Sequence, residues 1–243
     1  MDVIGSLIGL VLMMPILVTF TLLVWMQDWH NPFYLAPRVS KGGEQFSMLK
    51  LRSMIYQADK TGVVSTALTD KRITSIGHII RRYKLDELTQ LWNVLIGDMS
   101  LVGPRPNLKR ETNFYTAAER NLLSVRPGIT DFSSIVFSDE GEILKDHLDP
   151  DIAYNQLIRP GKSELGLFYI ENNTVWIDIR LCWLTVVAIF SRSTALHGLH
   201  KLLMQLGAEK AMLELVLRKS PLTPRPPPGS ERVVTSRDGN TAI

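Results

Sequence analysis

The sequence is poor in cysteine, because Cys182 is the only one in 243 residues. A disulfide within the chain needs two cysteines, so a disulfide-stapled fold is excluded, and the composition suits a reducing cytoplasm. Charge is missing from one long stretch, since residues 3–27 contain no Asp, Glu, Lys or Arg. Such a stretch is long enough to cross a bilayer or to enter it deeply.

Common catalytic signatures are missing as well. The sequence has no glycine-rich phosphate loop of the Walker type, no zinc-binding spacing and no Ser-His-Asp arrangement. Its five histidines are scattered, at His30, His78, His147, His197 and His200. No nucleic-acid-binding module is recognisable, which argues against nucleic acid as a partner. The chemistry is therefore expected from carboxylates and cations.

The apolar stretch is expected to be an uncleaved membrane anchor, because it lacks the basic first residues and the cleavage site of a signal peptide. Pro15 removes a backbone hydrogen bond in mid-segment and predicts a kink. Either a bent helix spans the bilayer, which the length of the run favours, or the chain turns near Pro15 and leaves on the same side. An aromatic cluster typical of a membrane interface follows, formed by Trp25, Trp29, Phe33 and Tyr34.

Residues 32–52 have the pattern of a β-hairpin. An extended run to Val39 is followed by a Ser-Lys-Gly-Gly turn and by alternation of period two. The alternation places Lys50 and Arg52 on one strand face as a candidate phosphate clamp, although charged strand faces are more often only solvated. The surroundings are basic, since residues 50–110 contain eleven Lys or Arg against five Asp or Glu.

The most informative stretch is residues 84–106. Apolar residues recur at helical spacing over residues 85–96, which predicts one helix with a buried apolar face. Asp86, Gln90 and Asn93 share another face of this helix and are expected to point away from the core.

Two adjacent carboxylates, Asp86 and Glu87, begin this predicted helix. Acids in a first turn complement the helix dipole, and that structural role alone is common. Basic residues precede the pair, however, and Arg105 follows between Pro104 and Pro106. Two carboxylates, an arginine and a divalent cation are the groups that phosphoryl transfer needs, so this stretch is the candidate site.

The remaining elements are predicted from periodicity and turn residues. They are an amphipathic helix over 73–83, a helix-like segment over 107–124, a strand or extended segment over 129–137, an interfacial or domain-packed helix over 176–190, an amphipathic helix over 198–218, and a disordered proline-rich tail from 220.

Several runs resemble a known family. They are FSMLKLRSM at 46–54, DKRIT at 70–74, KLDEL at 84–88, WNVLIGDMSLVGPRP at 92–106 and RPGIT at 126–130. Together and in this order they resemble the bacterial sugar transferases, or monotopic phosphoglycosyl transferases, over about residues 2–190. Thr89, where the family often has proline, and Asp131, where it often has glycine, depart from the pattern.

The resemblance implies transfer of a sugar 1-phosphate from a nucleotide diphosphate sugar, UDP-linked in our expectation, to polyprenol phosphate. This reaction would start the assembly of a bacterial surface glycan. By the motif match, Asp86 is the nucleophile that forms a covalent phosphosugar intermediate, and Glu87 assists metal binding and proton handling. Mg²⁺ is the expected cofactor, with Asp86 and Glu87 as metal-binding residues. Candidates for phosphate or nucleotide contacts are Lys50, Arg52, Arg105 and Arg126.

We therefore expect a mainly helical α+β protein in three parts. Residues 1–27 form a membrane-inserted helix; the resemblance implies that it is re-entrant and broken at Pro15, in place of the spanning helix that its length favours. Residues 28–219 form the catalytic domain, with a short β-hairpin and interfacial amphipathic helices, on the cytoplasmic face of the bacterial inner membrane. Residues 220–243 form the disordered tail.

Two other functions remain open from the residues alone. One is a non-catalytic membrane scaffold of a glycan assembly complex, and the other is a hydrolase of pyrophosphates. The donor sugar, the glycan pathway and the oligomeric state are not readable from the sequence, because they depend on pocket and surface shape.

Overall fold

The computed structural model of the chain describes residues 1–58 and 70–237, and over these residues the predicted mainly helical α+β fold is confirmed. The helices are α1 (Asp2–Asp28), α2 (Ser75–Arg82), α3 (Leu85–Leu88), α4 (Leu91–Ile96), α5 (Lys109–Thr112), α6 (Phe132–Val136), α7 (Glu140–Leu144), α8 (Pro150–Ala153), α9 (Arg159–Asn172), α10 (Val175–Phe190), α11 (Arg192–Gln205) and α12 (Lys210–Leu217). The strands are β1 (Phe33–Val39), β2 (Gln45–Leu51), β3 (Ser100–Val102) and β4 (Gly128–Thr130). Shorter helical turns span Lys41–Gly43, Glu119–Ser124 and Tyr154–Ile158.

Helix α1 is long and apolar enough to cross a membrane, with a mean hydropathy of 2.6 in its most apolar window. It runs without interruption through Pro15, so the predicted break at this residue is not found. Proline removes one backbone donor from the helix, and the turns on both sides keep their own hydrogen bonds. The Thr19 hydroxyl donates to the Pro15 carbonyl oxygen at 2.8 Å, which adds a contact at the same turn.

Both ends of α1 contact the globular part of the protein. At its start, Asp2 Oδ1 accepts a hydrogen bond from Ser100 Oγ at 3.1 Å. At its end, Asp28 Oδ1 accepts from Arg52 Nη2 at 2.6 Å. The Leu91 side chain of α4 lies against α1 between these ends. The helix is therefore attached to one body at both termini.

Strands β1 and β2 form the predicted antiparallel hairpin. Their register pairs Tyr34 with Lys50 and Arg38 with Phe46. Because side chains alternate along a strand and paired residues share a face, Arg38 and Lys50 lie on the same face of the hairpin.

The helix predicted over residues 85–96 is instead two short helices, α3 and α4, which meet at Thr89 and Gln90. The expectation that Gln90 and Asn93 point away from the core is wrong, because they are 1% and 2% exposed. The apolar side of α4 packs against α1, while Trp92 stays half exposed. This surface of α4 is thus shared with α1.

Polar side chains are buried here because they satisfy the free edge of β2. Asn93 accepts a hydrogen bond from Leu49 N and donates one to the Ser47 carbonyl, both at 2.9 Å. Thr89 Oγ1 donates to the Leu49 carbonyl at 2.9 Å. Buried backbone groups need such partners, so the edge strand fixes these side chains in place.

Strands β3 and β4 form a short parallel pair that brings distant segments of the chain together. Beside them, a Cβ atom on Gly128 would lie 2.1 Å from the Gly103 backbone nitrogen. Only glycine fits such a close backbone approach. We call the carboxylate pair Asp86 and Glu87 the dyad. The strand pair therefore joins the segment that carries the dyad to the helices that follow.

The C-terminal helices contain the largest apolar core, which includes Phe132, Leu165, Leu181, Leu199 and Leu203. Helix α10 confirms the helix predicted over 176–190. One side of it is buried in this core, while Trp183 and Phe190 on the other side are 67% and 84% exposed.

Three other predicted segments differ from the structure. Over 129–137, only the first residues are strand, because the buried Asp131 side chain accepts from Ser134 N at 2.7 Å and starts α6. Over 198–218, the predicted single helix is α11 and α12, separated at Gly207 with φ 77°. Over 107–124, only short helical turns form.

The tail from residue 220, which its composition predicts to be disordered, instead lies against the helices as far as Arg237. Val234 is 2% exposed, and its carbonyl accepts a hydrogen bond from Gln156 Nε2 at 2.7 Å. Arg225 pairs with Glu164 at 2.9 Å. The tail forms no helix or strand as far as Arg237, and it is held by backbone groups and arginines together with a few apolar side chains such as Leu222 and Val234. Residues 59–69, and residues 238–243 at the end of the predicted tail, lie outside the described residues.

Candidate active site

The two carboxylates lie in the first turn of α3, as predicted. Lys84, immediately before the helix, has a left-handed backbone with φ 54°. This conformation is uncommon outside glycine and costs about 1 kcal/mol, so the surrounding contacts must hold it. The sharp turn between α2 and α3 presents Asp86 and Glu87 beside the face of the hairpin that carries Lys50.

Each carboxylate has its own cation. Lys50 Nζ lies 3.5 Å from Asp86 Oδ2, at the outer limit of a hydrogen bond. Arg105 Nη2 donates to Glu87 Oε1 at 2.7 Å, which is a tight charge-assisted contact. The two acid side chains are only 13% and 15% exposed. The pair is therefore unequal, because Glu87 is held firmly and Asp86 is held loosely.

The electrostatic environment keeps Glu87 ionised. Burial alone would raise its pKa, but Arg105, Lys84 and Lys50 together outweigh burial and lower the pKa to about 2. Burial lowers the pKa of Lys50, against the opposing effect of Asp86. A carboxyl group with such a low pKa is a poor proton donor or acceptor near neutral pH. The proton-handling role expected for Glu87 stays a prediction, whereas its contact with Arg105 is present in the structure.

A cavity of about 340 Å³ opens over the dyad, and we name it the catalytic cavity. Its lining residues come from the hairpin, from α2 and α3, from the loop after β3, and from α5, α6, α7, α9 and the turn that precedes α9. They are Arg38, Met48, Lys50, Arg81, Lys84, Asp86, Glu87, Arg105, Pro106, Asn107, Leu108, Glu111, Ser134, Phe137, Ser138, Glu140, Gly141, Tyr154 and Lys162.

The wall opposite the hairpin carries a further charged pair. Lys162 Nζ donates to Glu140 and also lies 5.1 Å from the centre of the Tyr154 ring. Burial raises the pKa of the Tyr154 hydroxyl well above its usual value. For Glu140, burial is opposed by Lys162 and Arg105, and its pKa is lowered. The cavity is thus lined by charges from the dyad region and by the pair that Glu140 and Lys162 form.

The structure brings together four of the predicted site residues and separates two from them. Asp86, Glu87, Lys50 and Arg105 line one cavity. Arg52, expected beside Lys50, turns instead to the end of α1 and is buried there. This happens because Arg52 lies beyond the end of β2, where the strict alternation of the strand stops.

Arg126 is the second residue that the structure leaves out of the cavity. It is exposed and directly precedes the Pro127 and Gly128 segment that packs against Gly103. Its backbone therefore belongs to the β3 and β4 junction, and the contact predicted for its side chain is not supported.

Sequence reasoning missed several cations of the cavity, among them Arg38, Arg81, Lys84 and Lys162. Arg38 was detectable, since the hairpin turn fixes a register in which it shares a face with Lys50. Lys162 was not, because nothing in the pattern of α9 indicates that it meets the dyad from across the fold.

The carboxylate oxygens of Asp86 and Glu87 are the candidate donors for a metal ion in the cavity. No group of three or more His, Cys, Asp or Glu residues suited to a metal occurs among the described residues. Within that part of the chain, Asp86 Oδ1 and Glu87 Oε2 accept no hydrogen bond. Mg²⁺ prefers such hard oxygens and is often held by one or two carboxylates together with substrate phosphates. The residues fit that kind of site.

Comparison with protein families places this geometry in context. The family model described as bacterial sugar transferase matches residues 1–192. That range includes α1, the hairpin, the dyad and the cavity walls as far as α10. The chain belongs to the bacterial sugar transferase family.

Individual relatives agree with this assignment. The chain is 31% identical over 198 residues to a UDP-N-acetylgalactosamine-undecaprenyl-phosphate N-acetylgalactosaminephosphotransferase of Aeromonas hydrophila, covering 79% of this chain and 43% of that protein. It is 32% identical over 199 residues to a UDP-glucose:undecaprenyl-phosphate glucose-1-phosphate transferase of Xanthomonas campestris, covering 80% of this chain and 39% of that protein. A Caulobacter vibrioides protein of the same name is 29% identical over 202 residues, covering 80% of this chain and 70% of that protein.

The chain thus spans less than half of the length of the first two relatives. The shared region includes the dyad of this member of the family.

Proposed function

We propose that this protein transfers a sugar 1-phosphate from a UDP-sugar to polyprenol phosphate and so begins the assembly of a bacterial surface glycan. The observation that carries the proposal is the unequal carboxylate pair in a cation-lined cavity. Glu87 is held to Arg105 at 2.7 Å, while among the described residues the ion-pair partner of Asp86 is Lys50, at the longer distance of 3.5 Å. Asp86 is therefore the carboxylate that is available to react.

In the first step, an Asp86 carboxylate oxygen attacks the phosphorus that bears the sugar. A new oxygen–phosphorus bond forms, and the bond from that phosphorus to the nucleoside monophosphate breaks, so the leaving group departs with its negative charge. An anion attacking an anion needs neutralising cations nearby. Lys50, Arg105 and Arg38 line the cavity and provide them.

In the second step, an oxygen of polyprenol phosphate attacks the same phosphorus. The bond between phosphorus and Asp86 breaks, which regenerates the carboxylate and leaves a sugar on a lipid-linked pyrophosphate. Mg²⁺, held by Asp86 or Glu87 together with the donor phosphates, would supply further charge neutralisation when bound. Glu87 keeps Arg105 in place during both steps.

The position of α1 supports a non-spanning anchor. If α1 crossed the bilayer, one of its ends would lie about 30 Å from the domain that its other end contacts. Here, Asp2 and Asp28, at opposite ends of α1, both contact the same body. In our proposal, α1 dips into the cytoplasmic leaflet of the inner membrane, with the exposed apolar side of α10 at the same surface.

The test uses purified protein with a UDP-sugar that carries a label in the sugar. We expect donor-dependent labelling of the enzyme, its loss in Asp86→Asn, and labelling at the normal level in Asp146→Asn as an exposed control. A labelled Asp86→Asn variant would contradict the covalent step. Release of uridine monophosphate that is complete without any lipid acceptor would indicate a hydrolase, and the absence of release with every UDP-sugar would indicate a scaffold.

A further inference from the structure

A second cavity, of about 490 Å³, lies between α2 and α10. We name it the α2–α10 groove. Its lining residues are Ile73, His78, Arg81, Arg82, Lys84, Ser134, Ile135, Ser138, Thr185, Ala188, Ile189 and Arg192. Four of them, Arg81, Lys84, Ser134 and Ser138, also line the catalytic cavity, so the two cavities adjoin.

The groove differs from the catalytic cavity in charge. No Asp or Glu lines it in the described part of the chain, whereas the catalytic cavity contains four acids. A cavity with cations and no acid among its lining residues suits a phosphate group and does not suit a metal ion. Two of the basic side chains, Arg82 and His78, are exposed and form no ion pair within the described residues.

The opposite wall of the groove is apolar and continues to the surface proposed to meet the membrane. Ala188 and Ile189 come from α10, next to the exposed Phe190 and one turn from the exposed Val186. A ligand in the groove would therefore contact hydrocarbon-like surface on one side and cations on the other. A phosphate monoester on a long prenyl chain has this combination of groups.

Reaction geometry explains why the two cavities should meet. In each displacement at phosphorus, the attacking and leaving oxygens lie roughly in line. Asp86 is the attacking group in the first step and the leaving group in the second. The acceptor oxygen must therefore arrive on the side from which the nucleoside monophosphate departed. The residues shared by the two cavities lie where both phosphates can be reached.

We infer that the α2–α10 groove binds the phosphate and the first prenyl units of the lipid acceptor and delivers the phosphate to the catalytic cavity through the residues that the cavities share. This inference rests on the proposed function. It adds a location for the acceptor, with Arg82 as a residue that contacts the acceptor and does not contact the donor.

The first experiment separates the two half-reactions in Arg82→Glu. We expect the KM for polyprenol phosphate to rise about tenfold, the effect of losing one charge-assisted contact, while the rate of enzyme labelling by the donor stays within about twofold. Arg120→Glu is the matched control, because Arg120 is exposed and lines neither cavity. Equal slowing of labelling, or an unchanged acceptor KM, would overturn the inference.

The second experiment does not depend on turnover. A prenyl phosphate with a photoreactive group on its second isoprene unit is cross-linked to the full chain, and the modified peptides are identified by mass spectrometry. We expect adducts within residues 73–84 and 185–192 and their loss in Ala188→Trp, which fills the groove. Adducts confined to other segments would reject the groove.

The two experiments also separate the inference from the proposed function. If wild-type enzyme is never labelled by donor but the cross-links map to the groove, the covalent mechanism fails and the groove stands. If labelling is normal but the cross-links map elsewhere, the mechanism stands and the groove fails. Thermal unfolding of Ala188→Trp shows whether a lost adduct reflects a filled groove or an unfolded chain.

Discussion

Two regions of this protein are stabilised internally by different kinds of contact. In residues 29–106, which we call the dyad half, the buried apolar clusters are small, such as the one formed by Ala36, Met48, Val94 and Met99. In residues 128–217, the helical half, one large cluster joins α6, α9, α10 and α11. The dyad half relies on hydrogen bonds such as those of Asn93 to β2.

This difference suits the division of work between the halves. Both carboxylates and Arg105 belong to the dyad half, where polar contacts can hold charged groups in a fixed geometry. The helical half supplies a rigid wall, and its apolar exterior on α10 faces outward. We expect activity to depend most on the first half and stability most on the second.

The largest expected effect tests activity in the dyad half. In Glu87→Gln, Arg105 loses its charged partner and its fixed position, and we expect donor labelling to slow about 10²–10³-fold, typical of losing one preorganised electrostatic group. Glu142→Gln, on the exposed side of α7, is the matched control. Labelling within a few fold of wild type would show that Glu87 does not organise the site.

A core substitution tests stability in the helical half. Leu199 is fully buried in the large cluster, and Leu199→Ala should lower the free energy of unfolding by about 2–5 kcal/mol. Leu148→Ala, at a fully exposed leucine, should cost much less. The rate of labelling per folded molecule should not change. A loss below about 1 kcal/mol would mean that the large cluster does not carry the stability of this half.

A polar substitution tests stability in the dyad half. Asn93→Ala removes both side-chain bonds to β2 and leaves buried backbone groups unsatisfied, at a cost of about 1–3 kcal/mol in unfolding free energy. Asn113→Ala, at an exposed asparagine, provides the baseline. If both variants unfold alike in the same detergent, the hydrogen bonds to the strand edge do not hold this half together.

The same difference between the two halves explains which parts of the fold could be predicted from the sequence. Hydrophobic periodicity succeeded for α10, whose buried side faces an apolar core, and period-two alternation succeeded for the hairpin. Hydrophobic periodicity failed over residues 85–96. Asn93 is buried there because it forms hydrogen bonds with the edge of β2, and a one-dimensional pattern does not show where that edge lies. The composition of the tail predicted disorder, and this prediction also failed because the tail packs through Arg225 and backbone groups.

The candidate site was predictable to the extent that it is local. Asp86, Glu87 and Arg105 lie within one stretch of about 20 residues, and turn and helix patterns identify it. Lys162 and Tyr154 reach the same cavity only through tertiary packing of α9 and its preceding turn. No local pattern distinguishes them from ordinary helix residues.

A smaller effect concerns pH. The pKa of Glu87 is lowered to about 2 from a usual value of 4.5, because the three cations around it outweigh burial. As the pH falls, the unfolded chain therefore binds the extra proton first. The stabilisation by the ionised Glu87 is complete above about pH 5 and is lost as the pH falls towards 2. The difference in unfolding free energy between wild type and Glu87→Gln should shrink in acid. A difference that is constant from pH 7 to pH 3 would contradict this assignment.

The smallest expected effect is at the end of the tail. Arg237 pairs with Asp149 at 2.7 Å, but its side chain is 56% exposed, and exposed ion pairs contribute little. Asp149 also keeps its hydrogen bonds to the backbone of Asp151 and Ile152 without the arginine. Arg237→Ala should therefore change the free energy of unfolding by less than about 0.5 kcal/mol. A larger loss would mean that the tail stabilises the helical half through its last contact, and that the large apolar cluster does not hold that half alone.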